Sequence, residues 1–224
     1  MVKRGDLEYQ AYSAIKNAIV TGVYPPGAQI VEDLVAKKLN MSRSPVRIAI
    51  KRLQAEGFLE RRENKRIYVV FANEKRTLDA LYIREALEGM SARLAAKNRA
   101  PADIQQLQEM LTRMETMIHT DRIYDVYLIG VEMHKQIFYM SKNDQLAHIG
   151  INALEQEAVF SYRSLRQSPE RVLRAHHEHT LIATHVIEGN ADSAEDAARQ
   201  HVHRVIERYL ELKITTPQQA LISP

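Results

Sequence analysis

The sequence predicts a mainly α-helical protein, in which three helices and a β-hairpin are followed by an all-α antiparallel helical bundle. Apolar residues recur at three- and four-residue spacing along most of its 224 residues. Strand-like patterns occur only in a short region that ends at Phe71. Residues 1–72 hold 13 Lys and Arg against 7 Asp and Glu, whereas the remainder holds 18 against 21. We therefore expect two domains, 1–72 and 73–224.

The first two helices are separated by a clear turn signal. Asp6 is the expected N-cap of the first helix, which ends before Pro25-Pro26-Gly27. A short second helix is expected over residues 32–39, and Asn40-Met41 then turns the chain. Three residues of this short helix are expected to be buried: Leu34, Val35 and Leu39.

A third helix is expected to follow Ser42, which is placed to cap it, and to have two unlike faces. Its apolar face is formed by Val46, Ala49, Ile50 and Leu53. Its basic face is formed by Arg43, Arg47 and Lys51. A helix that lies in the major groove of DNA needs this division, because one face holds it to its domain and the other meets bases and phosphates. Ser42 and Ser44 are placed to bind phosphate at the helix N-terminus.

The basic helix is followed by a predicted β-hairpin. Gly57 ends the helix, and residues 58–62 and 67–71 have the composition of strands. The turn between them, 63–66, is charged and includes Arg66. The order of three helices and a hairpin is that of a winged helix-turn-helix, whose partner is double-stranded DNA.

This region resembles the GntR family of transcription regulators. The resemblance is carried by Pro25-Pro26-Gly27, by Asp33-Leu34-Val35-Ala36, and by residues 41–47 and 53–59. It implies that Arg43 and Arg47 contact an operator. Family wings usually carry a glycine at the tip, and the corresponding position is assigned here to Arg66, whose side chain would enter a narrow minor groove.

The rest of the chain has helical spacing throughout. Helices are expected over 75–97, 102–119, 122–140, 144–165, 169–187 and 193–212. Breaks are expected at Pro101, Ser141-Lys142-Asn143, Ser168-Pro169 and Gly189-Asn190. Isolated helices with this much apolar surface are unstable in water, so an antiparallel bundle is expected.

Three histidines are candidate metal ligands: His134, His179 and His201. His179 and His201 flank the Gly189-Asn190 turn at ten and twelve residues, so they face each other if the last two helices form a hairpin. Converging imidazoles bind Zn²⁺ or another divalent transition metal. The alternative is that each is an ordinary surface or hydrogen-bonded histidine. His176, His177, His185 and His203 are interpreted as surface residues or neighbours of the ligands.

The same region resembles the FCD effector-binding domain of the FadR subfamily. The resemblance is carried by residues 82–88, Glu132-Met133-His134, Glu178-His179, Gly189 and His201. It implies that the three histidines bind a metal, which in turn holds a carboxylate effector. The family's aspartate one turn before the first histidine is replaced by Gly130, which leaves a three-histidine site suited to zinc.

Arg84 has two interpretations. It is a candidate effector-binding residue that clamps a carboxylate inside the bundle. Alternatively, it pairs with Glu85 or Glu88 as ordinary charge on the helix surface.

Together these features predict a ligand-responsive DNA-binding repressor that binds an inverted-repeat operator as a homodimer, and not an enzyme. A metal-dependent hydrolase is the alternative from another class, but the sequence has no His-Glu-x-x-His motif. An effector-free regulator with a decayed pocket is a third possibility, which Gly130 favours. Without cysteine or an apolar run of spanning length, a cytoplasmic protein with no membrane association is expected.

Overall fold

The computed structural model describes residues 4–70 and 74–215, with side chains for 5–70 and 74–212. It contains two compact units that divide between Glu74 and Lys75. The first unit contains α1 (Arg4–Val20), β1 (Gln29–Ile30), α2 (Glu32–Lys38), α3 (Arg43–Ala55), β2 (Leu59–Arg61) and β3 (Ile67–Val69). Phe71 and the expected domain boundary after residue 72 lie outside the described residues.

The first unit has the predicted three helices and hairpin. Helices α1 and α3 pack against each other, and their buried residues include Ala11, Ile15, Val46 and Leu53. Strands β2 and β3 pair antiparallel, and β1 adds a third strand on the other side of β3. This two-residue strand was not expected, because two residues are too few for a strand pattern to show.

Three local expectations in the first unit are wrong. Helix α1 begins at Arg4, so Asp6 lies in its first turn and is not the N-cap. Leu34 is 66% exposed, because α2 buries Val35 and Ala36 instead. Ser42 occupies the N-cap position of α3 with extended backbone angles, but its side chain makes no capping hydrogen bond to the described residues.

The second unit is all helical, as predicted. Its helices are α4 (Glu74–Asn98), α5 (Pro101–His119), α6 (Ile123–Met140), α7 (Asp144–Gln156), α8 (Ala158–Leu165), α9 (Pro169–Glu188) and α10 (Ala191–Thr215). One hydrophobic cluster combines residues of α4, α5, α6, α9 and α10. Gly189 ends α9 in the left-handed conformation, with φ +82°, and joins it to α10. Among the described residues, no helix is long and apolar enough to cross a membrane.

The single helix expected over residues 144–165 is two helices. Glu157 leaves the helical conformation between α7 and α8, with φ −105° and ψ 4°. Its carboxylate is buried and lies 2.5 Å from Arg84 Nη1 on α4. Helical spacing alone could not reveal this break, because no glycine or proline marks it.

Candidate DNA-binding surface and histidine cluster

Helix α3 separates its two faces as the sequence predicts. Val46, Ala49, Ile50 and Leu53 are at most 1% exposed. The predicted DNA-contacting side chains are all exposed: Ser42, Arg43, Ser44, Arg47, Lys51 and, on the wing, Arg66. The apolar face therefore fixes α3 to the unit while the basic face stays available to a polyanion.

Two acidic residues of α2 hold the arginines of α3. Asp33 Oδ1 lies 2.6 Å from Arg43 Nε, and Glu32 Oε2 lies 3.6 Å from Arg47 Nε. A guanidinium has five N–H donors, so a pair made through Nε leaves both Nη groups for a base edge or a phosphate. These carboxylates limit the directions in which the two arginines point. Sequence reasoning missed both pairs.

In the turn of the wing, Lys65 adopts the left-handed backbone conformation. Lys65 has φ +60°, and its N–H donates to the carbonyl of Arg62 at 2.8 Å. The left-handed conformation that favours glycine therefore lies at Lys65, next to Arg66, and the correspondence of Arg66 to the family's glycine stays a prediction. Arg66 is exposed, and its backbone N–H donates to Asn64 Oδ1 at 2.9 Å.

The second unit brings three histidines together from three helices. His134 lies on α6, His179 on α9 and His201 on α10, and each is at most 8% exposed. One ring nitrogen from each lies within 4.8 Å of the others, and the Nε2 atoms of His134 and His179 are 3.2 Å apart. They are the only such metal-ligand group among the described residues.

Two glutamates orient two of these rings. His134 Nδ1 lies 3.0 Å from Glu88 Oε2, and His201 Nδ1 lies 2.8 Å from Glu178 Oε2. If each Nδ1–H donates to its carboxylate, the Nε2 lone pairs of His134 and His201 are left free. Histidines that bind metal usually have such a carboxylate partner on the second nitrogen.

The neutral state of the buried imidazoles favours the binding of a cation. Burial lowers the pKa of His179 and of His201, which keeps both rings neutral. If His179 carries its proton on Nδ1, two Nε2 lone pairs face each other across 3.2 Å. If the proton is on Nε2, Nδ1 is a buried acceptor with no donor among the described residues. A cation bound by the Nε2 atoms removes the repulsion of the first arrangement, so these residues fit a metal.

Gly130 leaves room for His179. A Cβ atom at position 130 would lie 2.9 Å from His179 Cε1, closer than ordinary van der Waals contact. The residue one turn before His134 therefore supplies no ligand, and its missing side chain admits the imidazole ring. Three neutral imidazoles with an open fourth position suit Zn²⁺, which water or a ligand atom can complete.

Arg84 is buried in an ion-pair network. It is 2% exposed, and its Nε and Nη1 lie 2.6 Å from Glu88 Oε1 and 2.5 Å from Glu157 Oε1. The pair with Glu88 is one that sequence reasoning proposed, but its placement on the helix surface is wrong, because neighbouring helices cover it. Burial alone would raise the pKa of Glu88, yet Arg84 and His134 hold it below its usual range. Burial raises the pKa of Glu157.

The histidines and Arg84 line one cavity of the second unit. The volume of this cavity is about 70 Å³. Residues of α4, α6, α7, α8, α9 and α10 form its wall, together with Glu157. His203, in contrast, is exposed and lies 3.4 Å from Glu85.

Comparison with known families now decides the class of protein. Residues 7–69 match the family described as "Bacterial regulatory proteins, gntR family", and residues 79–204 match the FCD domain. The chain belongs to the GntR family and carries an FCD domain. Each match covers one of the two structural units described above.

Individual relatives agree with this assignment. The transcriptional repressor RspR of Escherichia coli K12 is 26% identical over 207 residues, which cover 91% of this chain and 89% of RspR. An uncharacterised regulator from the TAR-I ttuE-ttuC' intergenic region of Agrobacterium vitis is 37% identical over 109 residues, 48% of this chain and 63% of that protein. The solved structure of E. coli McbR/YncC superposes with a TM-score of 0.78 at 21% identity, over 94% of this chain and 99% of that one, and shows the shared fold.

This GntR-family chain is therefore a DNA-binding transcription regulator and not an enzyme. The metal-dependent hydrolase considered from the sequence is wrong, because family and fold are those of regulators. Sequence reasoning also missed Glu88 and Glu178 as partners of the histidines. A signal for Glu178 was available, since it directly precedes His179, but nothing in the spacing links Glu88 to His134.

Proposed function

We propose that this GntR-family regulator is a ligand-responsive repressor that acts in the cytoplasm and binds an inverted-repeat operator as a homodimer. We further propose that His134, His179 and His201 hold a divalent metal, with zinc the best fit, and that a small carboxylate effector binds beside it. The observation that carries this proposal is the convergence of three buried imidazoles on the wall of a cavity.

The charges around the cavity support a metal as the anchor of the effector. Arg84 is the residue that the sequence suggested as a clamp for the effector's carboxylate, but Glu88 and Glu157 already neutralise its charge. An anion brought to this end would also face their carboxylates. A bound Zn²⁺ supplies the positive charge that a carboxylate needs. Direct contact between Arg84 and the effector stays a prediction. The ion pairs of Arg84 favour another role, in which Arg84 holds the Glu88 carboxylate beside His134.

For DNA, we propose that Arg43, Arg47 and Lys51 face the major groove. Ser42 and Ser44 would anchor phosphates at the start of α3, and Arg66 would approach the minor groove from the wing. All six side chains are exposed, and a packed apolar face holds α3 in place.

The repressor and homodimer proposals rest on two separate observations. RspR, named as a repressor, is similar to this chain over nine tenths of both. One recognition helix contacts only a few base pairs, so two copies that read an inverted repeat gain affinity and specificity.

Metal analysis tests the site. Protein purified without a metal-affinity tag and incubated with zinc should retain about one zinc ion per chain, in keeping with a single three-histidine site. His179→Ala and His201→Ala should lose it, whereas the exposed His203→Ala should not. Absence of stoichiometric zinc in the wild type would contradict the site and favour the effector-free regulator that Gly130 suggested.

Mobility-shift measurements test the DNA surface. Arg43→Ala and Arg47→Ala should each lower discrimination between operator and random DNA by about 1–3 kcal/mol, the usual worth of a bidentate base contact. Arg113→Ala removes an exposed arginine of the second unit and should change nothing. If both α3 variants keep full discrimination, α3 is not the recognition helix.

A further inference from the structure

The cavity extends well beyond the histidine cluster. Arg171, Ala175 and His179 line it from α9 at four-residue intervals, so they share one face of that helix. At 1.5 Å rise per residue, the backbone positions of Arg171 and His179 are about 12 Å apart along the axis. Val126 and His134 line the cavity with the same spacing on α6. The cavity therefore has a histidine end and a far end at Arg171.

Arg171 brings a largely unpaired positive charge to the far end. Among the described side chains, none forms an ion pair or a hydrogen bond with its guanidinium. The carboxylate that attracts it most, Glu178, is engaged by His201 at 2.8 Å and lies 3.5 Å from Arg204. Arg171 is half-buried, and desolvation by this burial lowers the pKa of its guanidinium. An anion in the cavity would compensate it.

Ser164 adds a free hydroxyl beside this cavity wall. It is 3% exposed, lines the cavity, and its buried Oγ has no hydrogen-bond partner among the described residues. By contrast, Ser161 on the same helix donates to Glu157. A buried hydroxyl without a hydrogen-bond partner lowers the stability of the fold unless a ligand or a water molecule forms the missing hydrogen bond.

Arg171 also lines a second, outer pocket. The outer pocket is lined by Arg171, Arg174, Arg204 and Arg208, with Glu170, Glu207, Glu211, Gln167 and Ser168. Arg171 is the residue that the two have in common.

We propose that Arg171 and Ser164 form a second anion subsite, so that the effector carries two acidic groups. One carboxylate lies at the histidine end, a part of the claim that rests on the proposed function. The second group, a carboxylate or a phosphoryl group, lies at Arg171, where a guanidinium and a hydroxyl donate to its oxygens. The effector class is then a short dicarboxylate or a phosphorylated acid.

Calorimetric titration of the full, zinc-loaded chain tests the subsite. Succinate, glutarate and adipate are compared with butyrate, valerate and hexanoate, the monocarboxylates of equal carbon number. At least one dicarboxylate should bind about tenfold more tightly than its partner, which is the usual worth of a charge-assisted contact. The pair 3-phosphonopropionate and succinate tells whether the second group is a phosphoryl group or a carboxylate.

Variants separate the subsite from a general effect of charge. Arg171→Gln should abolish the preference for two acidic groups, and Arg171→Lys should keep part of it. Arg174→Gln is the matched control, because Arg174 is exposed and lines only the outer pocket. Equal binding of both acid series in the wild type, or an equal loss in Arg174→Gln, would overturn the subsite.

The same titrations on zinc-free protein keep the two claims distinct. Binding of a dicarboxylate that depends on Arg171 without zinc supports the subsite even if the metal site fails. Zinc-dependent binding that is unchanged by Arg171→Gln supports the metal site and overturns the subsite. Absence of any binding that depends on Arg171, with or without zinc, also overturns it.

Discussion

At the scale of single residues, Glu88 links two parts of the cavity. Its Oε1 accepts from Arg84 at 2.6 Å, and its Oε2 lies 3.0 Å from His134 Nδ1. Arg84 thus fixes the carboxylate that fixes the imidazole. Buried charges of this kind contribute little net stability when paired, but they are costly when one partner is removed.

Arg84→Met should therefore lower the free energy of unfolding by about 3–5 kcal/mol near neutral pH. Without the guanidinium, burial raises the pKa of Glu88 and of Glu157 above the unfolded value, so the folded variant binds more protons than the unfolded chain. Its stability then falls as pH rises, and the loss should be larger at pH 8 than at pH 5. Urea denaturation at both pH values measures this.

The control for that experiment is Arg113→Met. Arg113 forms an exposed pair with Glu132 at 3.3 Å, which is worth at most about 1 kcal/mol. A loss in Arg84→Met that is equally small, or independent of pH, would contradict the buried network.

Asp33 is predicted to position Arg43 for DNA. The pair is exposed, so Asp33→Ala should change stability by less than about 1 kcal/mol. Freeing Arg43 should nevertheless lower the ratio of operator to random-DNA affinity, while the lost negative charge strengthens binding to any DNA. Mobility shifts on both DNAs measure the ratio. Glu63→Ala removes the same charge from the wing turn, and an equal fall of the ratio there would refute the positioning role.

At the scale of elements, helix contacts depend on residues that have almost no side chain. Gly150 on α7 faces Phe138 of α6, and a Cβ atom at position 150 would overlap the Phe138 ring. Phe138 is 1% exposed and packs with Leu146 and Ala147. At this point α6 and α7 approach so closely that a side chain at position 150 would have to displace the Phe138 ring.

Gly150→Ala should therefore destabilise the fold by about 1–3 kcal/mol, as overpacking usually does. Helix propensity alone predicts a gain of about 1 kcal/mol, so the sign of the change decides which effect dominates. Thermal unfolding measures it. Gly5→Ala in α1 is the control, since nothing lies within 4 Å of a Cβ added there, and a stabilised Gly150→Ala would show that the contact relaxes easily.

At the scale of the whole molecule, the two units have different tasks that must be coupled for regulation. The first offers a basic helix to DNA, and the second offers a cavity. An effector can change operator binding only by its difference in affinity for the DNA-competent and incompetent states. A tight ligand with equal affinity for both states would leave operator binding unchanged.

The proposed homodimer predicts that both halves of an operator are needed. Scrambling one half-site should weaken binding by about 10²-fold or more, because the second contact becomes intramolecular once the first has formed. Mobility shifts on whole and half operators measure this, with sedimentation to count the chains bound. A single chain that binds a half-site with full affinity would contradict the dimer.

The sequence by itself determined most of the helices, the hairpin and the basic face of α3, although it missed β1 and the break at Glu157. The spacing of Arg43, Arg47 and Lys51 sets a basic face on α3, and Gly189 marks the turn across which His179 and His201 meet. These are local properties, because a helix repeats every 3.6 residues and a left-handed turn favours glycine. The tertiary structure decided which helices are neighbours, and it alone brings Glu88 to His134, Glu157 to Arg84, and Arg171 and Ser164 to one cavity. Periodicity fixes which side of a helix is buried, but contacts between distant segments depend on how all the helices pack together.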